Sequence, residues 1–79
     1  MQIVIKHEVN RIKNGWAAKA TEMGLTAHGH SQEVAQLNLE RGVRLFFAPF
    51  ERSGNLGKEL EQMGIHVKAV GDGLTVTLE

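Results

Sequence analysis

His28-Gly29-His30 is the place in this 79-residue sequence where two histidines, side chains of the metal-ligand type, stand closest together. In an extended segment residues two apart point to the same side, so both imidazoles can reach one ion. A zinc site needs at least one further protein ligand, which Glu22, Glu33 or His66 would have to bring through the fold. The competing reading is a polar loop at a helix start with both imidazoles in water, and the expectation is that no metal and no cofactor is bound. A metal-dependent nuclease gathers carboxylates, because Mg²⁺ takes oxygen ligands. The single aspartate, Asp72, lies between Gly71 and Gly73, and Glu8 and Glu22 belong to no recognisable motif. Ser31 and Ser53 lack the Gly-x-Ser-x-Gly setting of an activated nucleophile. Gly71-Asp72-Gly73 lacks the Lys-Ser/Thr of a phosphate loop. No catalytic residue is expected.

Charge is balanced overall, with nine Lys and Arg against nine Asp and Glu. That excludes the strongly basic composition of most nucleic-acid binders. The distribution is uneven. Residues 1–21 carry Lys6, Arg11, Lys13 and Lys19 against Glu8 alone, and the remainder is acidic by the same margin. A basic hairpin with Trp16 beside it offers phosphate contact and base stacking, or faces the acidic part of a second copy, or is simply solvated. Trp16 is read first as a core residue and second as a binding anchor. Phe46, Phe47 and Phe50 crowd one stretch, more than one core face needs, so Phe47 and Phe50 join Trp16 as candidate partner-binding residues.

The chain has no cysteine, which removes thiolate catalysis and Cys-rich zinc sites and fits a cytoplasmic protein. No apolar run approaches the length of a membrane span or a signal-peptide core. With 42% hydrophobic residues and seven of those alanine, the core is small. Without a disulfide, a homodimer that hides further apolar surface is expected.

The elements that would position these residues follow from patterning. Gln2 to Val9 alternates with period two, Ile3, Ile5, His7 and Val9 sharing the inward face. Asn10 to Gly15 reads as a polar connection turning at Asn14-Gly15, and Trp16 to Thr21 as the returning strand. Thr26-Ala27-His28 predicts a short third strand. Ser31 is the N-cap of a helix running to about Ala48, with Ala35, Leu39, Val43, Phe46 and Phe50 as its apolar stripe and Pro49 as its stop. Asn55 caps a second helix marked by Leu56, Leu60 and Met63 and ended by Gly64. Ile65 to Val70 and Leu74 to Leu78 predict a hairpin around Gly71-Asp72-Gly73. The fold class is α+β: a small antiparallel sheet in the order β-β-β-α, then a short helix and a C-terminal hairpin, with the long helix on one face. Residues 1–79 form one domain, with its core in 2–48 and the helix and hairpin of 55–79 as an extension.

Several of these residues carry a family pattern in order along the chain. Gly15-Trp16 closes the first turn, Met23-Gly24-Leu25 forms the second, and Thr26-Ala27-His28-Gly29-His30-Ser31 leads into the helix. Within the helix Glu33, Ala35, Asn38 and Leu39 follow a Glu-x-Ala-x-x-Asn pattern, extended by Gly42 and Val43. From Ile3 to about Phe47 the chain resembles the N-terminal domain of the HicB-like antitoxin family, most closely its small stand-alone relatives. That resemblance implies a degraded RNase H-like fold and a role in covering a small HicA-type ribonuclease toxin. The family's usual C-terminal operator-binding segment has no counterpart, since Asn55 to Glu79 supplies one short helix and a hairpin, too little for helix-turn-helix, with Lys58 and Lys68 as its only bases. Direct DNA binding is therefore not expected.

The functional expectation is a non-enzymatic protein-interaction domain, antitoxin-like, that buries a toxin's active face. The alternatives are an RNA-binding module or weak nuclease built on the RNase H-like sheet, and a stand-alone homodimeric adaptor.

Overall fold

The computed structural model describes residues 2–64, 66–67 and 74–77. Its first segment is a single extended stretch broken at Lys6 into β1 (Gln2–Ile5) and β2 (His7–Ile12). At the break the Lys6 N–H donates to the Glu22 carboxylate at 3.2 Å, and the Lys6 carbonyl accepts from the Thr21 N–H at 3.2 Å. This junction lets one strand serve two sheets. β2 pairs antiparallel with β3 (Gly15–Ala20), which pairs antiparallel with β4 (Leu25–Gly29). β2 reaches Ile12, opposite Gly15, so the expected polar connection from Asn10 is strand and the turn is Lys13-Asn14.

Ser31 caps α1 (Gln32–Ser53) as expected, its Oγ accepting from the Val34 N–H at 3.1 Å. The helix does not stop at Ala48. It runs through Pro49 to Gly54, which adopts a left-handed φ of 78°. Pro49 has no N–H to give the Leu45 carbonyl, but this turn faces solvent, Leu45 being 74% exposed, so water can take the carbonyl. The closing bonds are those of a Schellman stop, Asn55 N–H to the Phe50 carbonyl at 2.9 Å and Gly54 N–H to that of Glu51 at 3.3 Å. The buried stripe is the expected one at Ala35, Leu39 and Val43 and departs from it at Phe46, whose place Phe47 takes. Ala35, Leu39, Val43 and Phe47 repeat every fourth residue, while Phe46 stands 36% exposed. Consecutive helical residues diverge by ~100°, so burying Phe47 turns Phe46 outward.

α2 (Leu56–Gln62) follows, buried through Leu56 and Leu60. Asn55 precedes it as expected, without a side-chain cap bond. The C-terminal strands β5 (His66–Val67) and β6 (Leu74–Thr77) do not pair as a hairpin. Each pairs antiparallel with β1, one on either side, so Ile3 lies between Val67 and Val76. Gly71-Asp72-Gly73, the expected turn, falls outside the described residues. The order of elements remains that of an antiparallel α+β fold with the long helix on one face.

Eleven described hydrophobic residues form one buried cluster, and no described polar residue is buried with them. Ile3 and Ile5 of β1, Ala18 and Ala20 of β3, the α1 stripe, Leu56, Leu60 and Val76 all belong to it. Burial of this apolar surface, at ~25 cal/mol per Å², is the main force holding α1 on the sheet.

Candidate interaction surface

The strand register divides the side chains into two faces. Ile3, Ile5, Ala18, Ala20 and Val76 point toward the helices and are fully buried. The alternate residues point the other way. On the β2-β3-β4 sheet these are Glu8 and Asn10 on β2, Ala17 and Lys19 on β3, and Thr26 and His28 on β4, brought level by the pairs Glu8–Lys19, Asn10–Ala17, Lys19–Thr26 and Ala17–His28. Thr75 and Thr77 of β6 are exposed beside β1. Among the described residues no element lies over this face, and all but Ala17 of those named on it are exposed. It presents the short side chains of Asn10, Ala17 and Thr26 beside His28 and one acid and one base, Glu8 and Lys19, set directly across from each other.

His28 and His30 are both exposed. His28 sits on the open face of β4, and His30 lies beyond the strand's end, just before the N-cap. The carboxylate of Glu22 is engaged with the Lys6 N–H, and Glu33 occupies the first turn of α1. The His66 side chain is outside what the structure describes. Among the described residues no three His, Asp or Glu side chains gather where they could hold a metal ion.

Trp16 is half-buried and packs against the core cluster, with the Arg11 guanidinium 5.8 Å from its ring centroid. The two residues are direct cross-strand neighbours, a cation–π pair beside the Lys13-Asn14 turn of the first hairpin. Phe47 is fully buried and so is withdrawn as a partner contact, because α1 turns it into the cluster shared with Leu56, Leu60 and Val76. Phe50 is half-buried on the edge of that cluster. Phe46 packs edge-on against Phe47, ring centroids 5.1 Å apart, and leaves its other side in water. The exposed apolar group at this end of α1 is therefore Leu45 and Phe46, neither of them expected from the sequence.

Two polar contacts that tie α1 to the sheet were also missed. The Asn38 side-chain N–H donates to the His28 carbonyl at 2.8 Å. The Gln36 amide nitrogen lies 3.1 Å from His7 Nε2 and donates to it, which leaves the buried His7 Nδ1 with no partner among the described residues. His7 had been legible only as an inward-facing position. On the far side of α1, Arg44 pairs with Glu40 and donates from Nε to the Thr77 carbonyl at 3.0 Å, anchoring β6.

Among the described residues no helix is long and apolar enough to cross a membrane. Compared with protein-family models, curated proteins and solved structures, the chain matches none.

Proposed function

We propose that this chain is a non-enzymatic interaction domain whose uncovered sheet face seats a protein partner, in the manner of an antitoxin that masks a small HicA-type ribonuclease. The observation that carries the reading is the asymmetry of the sheet. One face holds the buried strand residues, and the other presents Ala17, Thr26 and their neighbours to solvent with no described element over them. The short side chains of Ala17 and Thr26 cost little entropy to immobilise, so that part of the face suits close packing against another macromolecule. The family resemblance read from Gly15-Trp16 to the helix motif supplies the class of partner. Masking would act by steric cover, with no chemistry supplied by this chain.

The test is co-expression with a small basic ribonuclease of double-stranded-RNA-binding fold, followed by co-purification and an RNA-cleavage assay. A stoichiometric complex that silences cleavage is expected. Ala17→Arg and Thr26→Arg, both on the open face, are expected to weaken it at least tenfold while circular dichroism stays unchanged. A complex indifferent to both substitutions sinks the reading.

The RNA-binding alternative draws on a separate observation, the exposed Arg11 and Lys13 beside Trp16 at the hairpin end. It requires RNA affinity that falls steeply with salt, because neutralised phosphates release counterions. A flat salt response would dismiss it.

A further inference from the structure

We propose that the outer edge of β2 pairs with the same edge of a second copy, antiparallel about Val9, joining two β2-β3-β4 sheets into one. This is independent of what the open face binds.

The two edges of that sheet are treated differently. On β4 the outward carbonyl of His28 is taken by Asn38, and α1 runs alongside the strand. On β2, Lys6 turns its N–H and carbonyl toward the Thr21–Glu22 side, so by strand alternation His7, Val9 and Arg11 turn theirs outward. Among the described residues none pairs with that side of β2. The strand carries no proline, and its six residues are long enough to template another.

Side-chain charge selects the partner and the register. A two-fold axis normal to the sheet sets residues of the same face opposite each other. Centring on Glu8 would place Glu8 against its own copy, and centring on Arg11 would place two guanidinium groups together, both unfavourable. Centring on Asn10 would set half-buried Val9 against Arg11. Centring on Val9 sets Val9 on Val9, Glu8 on Asn10 and His7 on Arg11. No carboxylate then meets a carboxylate directly and no guanidinium meets another. Val9 already packs against the core cluster, so its contact with the copy would continue that apolar surface across the axis.

The native sequence has no cysteine, so in any single-cysteine variant a disulfide can only join two copies. In a hydrogen-bonded antiparallel pair the Cα atoms lie about 5.5 Å apart, within disulfide reach. Light scattering on the native chain is expected to give twice the 8.7 kDa chain mass. Under mild oxidation Val9→Cys is expected to cross-link at least tenfold faster than Asn10→Cys or Lys58→Cys. Val9→Pro removes an outward N–H without touching the β2–β3 bonds, and is expected to give a folded monomer. A native chain that stays monomeric overturns the proposal. So does a dimer that cross-links through Asn10→Cys or Lys58→Cys as fast as through Val9→Cys.

Discussion

Asn38 holds the one edge of the β2-β3-β4 sheet that lies beside α1: its side-chain N–H donates to the outward-facing carbonyl of His28 at 2.8 Å. A carbonyl on an exposed strand edge is an invitation to another strand, and a helix side chain that occupies it withdraws the invitation. The same bond fixes the angle at which α1 leaves Ser31, because Asn38 lies two turns into the helix.

Asn38→Ala should therefore cost about 1 kcal/mol, the usual worth of one such bond. Asn38→Asp keeps the shape but sets a carboxylate against a carbonyl, and the loss should be larger. Urea titration of the three proteins decides this. If Asn38→Asp is no worse than Asn38→Ala, the bond is not what holds the edge.

Gly29 sits where β4 runs into the helix start. A Cβ there would stand 2.5 Å from the Ala35 nitrogen and 2.8 Å from the Val34 carbonyl carbon, backbone atoms that cannot swing aside. Gly29→Ala should lose at least ~2 kcal/mol as the helix is pushed off the strand. Gly57→Ala is the contrasting case, since a Cβ there meets nothing within 4 Å and α2 gains the better helix former. It should stabilise by up to ~1 kcal/mol. A thermal melt in which Gly29→Ala loses no stability would refute this account of Gly29.

The frame of α1 separates two adjacent phenylalanines. Phe47→Ala removes a fully buried ring and should cost about 3–5 kcal/mol, enough to unfold a domain this small. Phe46→Ala, from a ring 36% exposed, should cost far less, at about 1 kcal/mol. Equal losses would mean that the helix stripe is wrongly framed.

Local periodicity made much of this fold legible. Ile3 and Ile5 alternate, Ser31 is a capping residue ahead of a periodic run, and Leu56 with Leu60 marks a helical turn. Long-range pairing left no such trace. Nothing local in Leu74 to Thr77 distinguishes a strand that pairs with the preceding segment from one that pairs with β1, seventy residues earlier in the chain. Phe46 and Phe47 are chemically identical neighbours, and only the packing of α2 and β6 decides which ring is buried. Asn38 was visible as a member of a motif, but its bond to the His28 carbonyl depends on where α1 settles against β4. The surface offered here as functional is defined by what fails to cover it, and a sequence does not spell that out.

Pro49 is the clearest case of tertiary structure overriding a local rule. A proline inside a helix forfeits a hydrogen bond and is about 3 kcal/mol less favourable than alanine there. α1 nevertheless continues one turn further, to Ser53. What holds that turn is Phe50, packed on the core cluster, together with the closing bonds through Gly54 and Asn55. Pro49→Ala restores a donor to the Leu45 carbonyl and asks for no rearrangement, because position 49 is exposed. It should raise stability by about 1–3 kcal/mol, the lower figure applying if water already satisfies the carbonyl well. Phe50→Ala should do the reverse and fray the helix back toward Ala48. Amide exchange would show this as lost protection at Asn55, whose N–H bonds the Phe50 carbonyl at 2.9 Å. If Pro49→Ala instead destabilises the protein, the proline is shaping a bend that the packing of Phe50 requires, and the helix persists because of the proline rather than in spite of it.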